Sequence, residues 1–358
     1  MTAAREAPAA EPLPVRAFSA VLRDLVAGRD LSAETAAEAL DAIVDGLWND
    51  AQAAAFLTAL AIKGERTSEV FGLARAMRAR AIRVEHDLAI VADTCGTGGD
   101  GAQTINVSTA AAFAVAGCGV AIAKHGNRAT SGTCGSADVL ETLGVAIDVP
   151  PAEAARRLAR DRFVFLFAPH YHPATKRVAS VRRALGIRTV FNLLGPLVNP
   201  AGATHQIVGV ADRAHLTIVA ETLQALGVRG AAVVRAANGI DEVAGDHPTE
   251  VVQLAHGSLR RYLLDPNDFG IRTPPEALRG GEIAANADAL LAILRGEISP
   301  RSEVVALNAA LALVVAERAS TMREALAFAR ASLRSGAALA VFEAARDASA
   351  EPLAKGRS

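Results

Sequence analysis

Small side chains crowd residues 93–138, with polar ones at close intervals among them: DTCGTGGDGAQTINVSTAAAFAVAGCGVAIAKHGNRATSGTCGSAD. Glycine lets a backbone turn sharply and approach a ligand closely. Gly96, Gly98, Gly99 and Gly101 therefore predict a loop whose N–H groups face a bound anion. Asn106, Ser108 and Thr109 fall where an Ala-rich helix begins, and a helix start adds free donors and a positive dipole end. After the apolar run 119–123, Lys124, His125, Asn127, Arg128 and Ser131 form a second polar loop. The two loops together predict a phosphate site.

Two common phosphate motifs do not fit. Gly96-Thr97-Gly98-Gly99-Asp100-Gly101 matches G-x-G-x-x-G. A dinucleotide site also needs an acid near the end of the next strand, where this chain has Lys124 and His125. No G-x-x-x-x-G-K-[ST] run is present, which excludes a P-loop. The formal net charge of -1 offers no broad basic face for nucleic acid or anionic lipid. Three irregularly spaced cysteines, Cys95, Cys118 and Cys134, predict reduced thiols rather than a disulfide framework or zinc site. With no apolar run of membrane length and no signal peptide at the start, the expectation is a soluble, cytoplasmic protein without a membrane partner.

The 358 residues divide by pattern. Residues 1–14 read as a disordered tail and 351–358 as another. Residues 15–82 read as a helical lobe, with Ser32 capping one helix and Thr67 or Ser68 capping the last. Then strands and helices alternate. Strands are predicted at 88–92, 120–123, 163–167, 207–210 and 231–234, and helices at 108–116, 136–143, 151–160 and 216–226. Such alternation predicts an α/β lobe, over 83–171 and 196–350, with a mainly parallel central sheet. Residues 282–348 read as long amphipathic helices. A helix over 172–185 and the stretch to 195 interrupt the alternation and are expected to join the helical lobe.

Outside the loops, three features allow two readings each. Asp241-Glu242 is either solvated surface or a magnesium-binding pair, since Mg²⁺ takes carboxylates and bridges to substrate phosphates. His125 is either a core histidine or a substrate contact. Arg182 and Arg183 are either a solvated helix face or the source of a fork for a ligand carboxylate.

Taken in order, the motifs resemble one family over nearly the whole chain. They are Gly96-Thr97-Gly98-Gly99-Asp100, Asn106-Val107-Ser108-Thr109, Lys124-His125-Gly126-Asn127-Arg128, Gly135-Ser136-Ala137-Asp138, Arg182-Arg183-Ala184-Leu185-Gly186-Ile187-Arg188-Thr189, Asn192-Leu193-Leu194-Gly195-Pro196-Leu197 and Asp241-Glu242. Asp50-Ala51-Gln52 and Gly280-Gly281-Glu282 fit as well. The chain resembles the anthranilate phosphoribosyltransferases. These transfer the phosphoribosyl group of phosphoribosyl pyrophosphate to anthranilate, giving N-(5-phosphoribosyl)anthranilate and pyrophosphate, the second step from chorismate to tryptophan. Two departures stand out: Gly132 follows Ser131 where a second serine is usual, and Cys95 replaces a small aliphatic residue.

The resemblance implies a nucleoside phosphorylase/phosphoribosyltransferase-type fold and a homodimer formed through the helical lobes. It places phosphoribosyl pyrophosphate on Gly96, Gly99, Asp100, Thr104, Asn106, Val107, Ser108, Thr109, residues Lys124, His125, Gly126, Asn127, Arg128, Ala129, Thr130, Ser131 and Gly132, and Ser136. Anthranilate falls to Gly96, Asn127 and Arg182, with His125, Asn127 and Arg182 in catalytic positions. Two Mg²⁺ ions per subunit fall to Ser108, Asp241 and Glu242. Two rivals remain: a pyrimidine nucleoside phosphorylase, which needs neither the acidic pair nor a carboxylate-binding arginine, and a non-catalytic nucleic-acid-binding relative.

Overall fold

The computed structural model describes residues 17–129 and 134–350. Both predicted tails lie outside them.

Four helices come first: α1 (Phe18–Val26), α2 (Ala33–Val44), α3 (Asp50–Lys63) and α4 (Thr67–Ala79). Ser32 caps α2, accepting from the Thr35 N–H at 3.2 Å. Neither Thr67 nor Ser68 caps α4. The N-cap is Arg66, and the buried Glu69 carboxylate reaches back to its N–H at 2.9 Å. The Thr67 hydroxyl instead donates to Glu221 at 2.6 Å and that of Ser68 to the Leu31 carbonyl at 2.9 Å.

Seven strands follow: β1 (Val91–Gly96), β2 (Ala121–Gly126), β3 (Phe163–Phe167), β4 (His205–Gly209), β5 (Gly230–Ala236), β6 (Thr249–Ala255) and β7 (Ser258–Leu264). Their order is β3-β2-β1-β4-β5-β6-β7. The first five are parallel, and β6 and β7 add an antiparallel edge. The sheet is thus mainly parallel, as the alternation requires. Four strands differ from their expected bounds: β1 starts at Val91 rather than 88, β2 runs on through Lys124 and His125, β4 starts at His205 rather than 207, and β5 ends at Ala236 rather than 234. The apolar run ends early because Asp93, Thr94, Lys124 and His125 are themselves buried in the strands. Hydrogen bonds to buried neighbours make that possible. The β6–β7 hairpin went unpredicted; its turn places His256 and Gly257 at φ 50° and 74°.

The remaining helices are α5 (Val107–Gly117), α6 (Ser136–Thr142), α7 (Pro151–Asp161), α8 (Ala168–Tyr171), α9 (Thr175–Leu185), α10 (Phe191–Leu197), α11 (His215–Ala225), α12 (Ile283–Leu294), α13 (Pro300–Val315), α14 (Met322–Arg334) and α15 (Ala337–Ala350). Helix α9 begins at Thr175, not 172, because Pro173 keeps His172 out of the helical region (φ -124°, ψ 70°). Helix α13 is buried on nearly every side rather than amphipathic. It packs against α5 and α14 and touches β4 and β5.

Two large apolar clusters flank the sheet. One joins α5, α12, α13 and α14 to one face. The other runs from the opposite face through α11 and α10 into α2, α3 and α4. Helix α9 lies against α2 and α3, and α10 against α4. An arm carrying α8, α9 and α10 thus stands across from the C-terminal ends of β1 and β2. No single described helix is long and apolar enough to cross a membrane.

Candidate active site

In the strand order, β2 lies on one side of β1 and β4 on the other, so the chain changes direction across the sheet at β1. Ligands of open α/β sheets bind outside the carboxyl ends of the strands at such a point. A cavity of about 560 Å³ lies there. Its walls are the loop after β1, the start of α5, the end of β2, the loop after β5, and the arm.

The glycine loop is shaped by Gly98, Gly99 and Gly101, at φ 60°, 75° and 75°. Gly96 makes room for a different reason: a Cβ there would meet Asp241 Oδ2 at 2.6 Å and push that carboxylate aside. Asp241 Oδ2 accepts from the Gly98 N–H at 3.0 Å, and Glu242 Oε1 from the Ser108 N–H at 3.2 Å. The acidic pair is therefore no solvated surface. Burial, then the charge of Asp100, pushes the Asp241 carboxyl up to about 6. Burial, then the charge of Asp241, pushes Glu242 up to about 8.

Lys124 is the buried cation beside them, at 2% exposure. Its Nζ donates to the Thr94 carbonyl at 2.5 Å and to Ser108 Oγ at 3.4 Å. Burial lowers its pKa, and Asp93 and Glu242 oppose that. Asp93 lies under the floor, accepting from the His125 N–H at 3.2 Å and from Asn199 Nδ2 at 2.9 Å. Burial nonetheless pushes its carboxyl up to about 6.

His125 Nδ1 lies 3.1 Å from the Gly195 carbonyl, which can only accept, so Nδ1 carries the hydrogen. Burial, then His172, pushes the ring pKa down to about 3, so it is neutral. The His172 ring lies 5.1 Å away at 62°, its own pKa pushed down to about 4 by burial.

On the arm, Arg182 lines the cavity and stacks on Phe191 with its guanidinium carbon 5.4 Å from the ring centre. Among the described residues its guanidinium makes no hydrogen bond or ion pair. Arg183 is exposed and does not reach the cavity.

The structure brings most of the predicted residues together. Gly96, Gly99, Asp100, Thr104, Asn106, Ser108, Thr109, Lys124, His125, Gly126, Asn127, Arg128, Ala129, Ser136, Arg182, Asp241 and Glu242 all line the cavity. Val107 does not. Its side chain is fully buried in the apolar cluster beneath α5, and its N–H donates to the Ile105 carbonyl at 2.7 Å. Thr130, Ser131 and Gly132 lie outside the described residues. Two lining residues have their donors engaged. The Arg128 guanidinium pairs with Asp138 at 3.0 Å and Glu141 at 2.8 Å, and the Ala129 N–H donates to Asp138 at 3.1 Å.

Sequence reasoning did not single out His172, Phe191, Asn192, Pro196 or Asn286 as site residues, all of which line the cavity. For Asn192 and Pro196 the signal was the polar and proline positions inside Asn192-Leu193-Leu194-Gly195-Pro196-Leu197. His172 offered none, since its place depends on the turn at Pro173.

Two carboxylates and the Ser108 hydroxyl make a donor set suited to magnesium, which takes few protein ligands and keeps sites for water and phosphate. Burial first, and then the charges of Asp100 and Asp241, raise the Asp241 and Glu242 carboxyls, and a divalent cation held between them would offset both. Among the described residues no group of three or more His, Cys, Asp or Glu side chains forms a fuller metal cage.

Comparison with known proteins identifies the family and the fold. The glycosyl transferase family, a/b domain, matches residues 88–339, and the glycosyl transferase family, helical bundle domain, matches residues 19–81. The anthranilate phosphoribosyltransferase of Moorella thermoacetica is 50% identical over 328 residues, covering 91% of this chain and 97% of that protein. The crystal structure of the Thermus thermophilus anthranilate phosphoribosyltransferase superposes with a TM-score of 0.87 at 40% identity, covering 92% of this chain and 99% of that one. The Saccharomyces cerevisiae enzyme in complex with PRPP and Mg superposes with a TM-score of 0.85 at 26% identity, covering 93% and 98%. The chain belongs to the anthranilate phosphoribosyltransferase family.

Proposed function

We propose that the cavity holds phosphoribosyl pyrophosphate and anthranilate together and transfers the phosphoribosyl group to the anthranilate amine. One observation carries this reading. An anion-binding loop and helix start face a half-buried carboxylate pair, and Arg182 stands free of any described acid on the arm opposite. The first two suit a diphosphate with its cation, and the third suits a benzoate.

In this arrangement the diphosphate rests on the glycine loop through Gly96, Gly99 and Asp100, on Thr104, and on Asn106, Ser108 and Thr109 at the start of α5. Lys124, His125, Gly126, Asn127 and Ser136 face it from β2 and α6. Asp241, Glu242 and Ser108 would hold magnesium, two ions per subunit. When bound, the cation neutralises charge on the departing diphosphate. Negative charge grows on that group as the C1–O bond breaks, and each preorganised donor is worth about 3–4 kcal/mol of barrier. Arg182 forks onto the anthranilate carboxylate, while Asn127 and Gly96 bound the same pocket. The amine forms the bond to C1, pyrophosphate leaves with the electron pair of the broken C1–O bond, and the nitrogen gives its surplus proton to pyrophosphate or water. Neutral His125 packs beside the reactants without adding charge. The arm closes off water that would hydrolyse the activated sugar.

A pyrimidine nucleoside phosphorylase would need neither the carboxylate pair nor Arg182, and a nucleic-acid-binding relative would need a basic face that a net charge of -1 does not provide. The enzyme is further proposed to act in the cytoplasm as a homodimer joined through its helical lobes. Loss of anthranilate fluorescence on mixing with phosphoribosyl pyrophosphate and MgCl₂ is the expected result. Turnover of thymidine and phosphate, with none of anthranilate, would overturn it.

A further inference from the structure

The glycine loop has a partner outside the cavity. Arg188, on the arm between α9 and α10, donates from Nη1 to the Gly98 carbonyl at 2.6 Å and from Nη2 to the Thr97 carbonyl at 3.4 Å. Its side chain is exposed and does not line the cavity, and among the described residues it pairs with no carboxylate. The guanidinium lies directly against Gly99: a Cβ there would sit 1.6 Å from Nη1 and would displace it.

A trans peptide points its C=O and N–H in opposite directions. The Thr97–Gly98 peptide shows the consequence, with its carbonyl toward Arg188 and its N–H bonded to Asp241 Oδ2 at 3.0 Å. The next peptide, Gly98–Gly99, also turns its carbonyl to Arg188. Its N–H must then face away from Arg188, and among the described residues no acceptor meets it. Glycines on both sides of this peptide leave little steric barrier to a flip. A flip would turn a carbonyl toward the diphosphate in place of a donor.

We infer that Arg188 is a positioning residue: it latches the Gly98–Gly99 peptide so that its N–H faces the cavity as a diphosphate donor. The inference rests on the function proposed above. It also links the two substrate walls, because the arm that carries Arg182 carries the latch.

The test uses the full chain with MgCl₂. Phosphoribosyl pyrophosphate is titrated calorimetrically into wild type, R188A and R188K, and both substrates are varied in steady-state assays. For R188A, the dissociation constant and KM of phosphoribosyl pyrophosphate should rise roughly 10–100-fold, the range for losing hydrogen bonds to a charged donor. KM for anthranilate and kcat at saturation should stay near wild type. R188K, whose ammonium reaches only one carbonyl, should fall between, and free guanidinium ion should partly restore R188A. Wild-type affinity in R188A would overturn the latch, as would equal loss for both substrates with a lowered unfolding midpoint. A wild-type chain that binds no phosphoribosyl pyrophosphate would instead remove the function on which the latch rests.

Discussion

Asp241 Oδ2 accepts the N–H of Gly98 at 3.0 Å across 143 residues of sequence. The loop that would cradle a diphosphate and the acid that would hold its cation are therefore one structural unit. A change to either moves the other.

Replacing the pair as D241N/E242Q should lower magnesium-dependent kcat/KM by about 10³-fold or more, the scale of losing preorganised stabilisation of the leaving group. The anthranilate fluorescence assay, run with excess MgCl₂ and again with EDTA, measures it. Wild-type activity that persists in EDTA would rule out the magnesium role.

For the acceptor substrate, R182A should raise the anthranilate KM roughly 10–100-fold, the range for a hydrogen-bonded charge pair. The KM of phosphoribosyl pyrophosphate should change far less, and R183A should change neither. Loss divided equally between the substrates would place the carboxylate elsewhere.

Val107 serves packing. V107A should cost about 2 kcal/mol of stability, from buried methyl groups lost and the space they leave. Urea denaturation measures that cost, and the KM of phosphoribosyl pyrophosphate should hold. A large KM change in a well-folded V107A would return this position to the site.

Stability should carry a signature of His172. Its folded pKa of about 4 lies below the value of about 6.5 expected when unfolded. Its contribution is therefore complete above pH 6.5 and is lost as pH falls toward 4. At pH 5.5 the loss is about 1.4 kcal/mol. His125, pushed down to about 3, acts in the same sense, and Asp93, Asp241 and Glu242, with raised pKa values, act in the opposite one, so the wild-type curve alone does not isolate His172. The difference in unfolding free energy between wild type and H172Q should shift by that amount between pH 7.5 and 5.5. A difference that does not change with pH would mean His172 titrates normally.

The sequence made β3 legible because Phe163–Phe167 is an apolar run with clear ends. It hid the last turns of β1 and β2, where polar residues are buried to make the site. Hydropathy reads Asp93 or Lys124 as exposed; only their hydrogen-bond partners, Asn199 and the Thr94 carbonyl, show why they are not. The cavity wall formed by β1, β2 and α5 was legible because its residues are close in sequence. The wall formed by the arm was legible only at Arg182 and in the Asn192–Leu197 motif; His172 and Phe191 arrive there through packing against helices far earlier in the chain. Arg188 shows the same gap: its motif was visible, its carbonyl partners were not.

Helix α5 is almost wholly buried, and much of its length is alanine. A Cβ on Gly117 at its far end would lie 2.2 Å from Ser332 Oγ. Methyl-sized spacing between the sheet and α13, α14 and α15 thus sets how far the tip of α5 projects toward the ligand. Enlarging any of these alanines would tilt that tip like a lever, so altered substrate preference should arise on the arm, where side chains have room to vary, and not along this shaft.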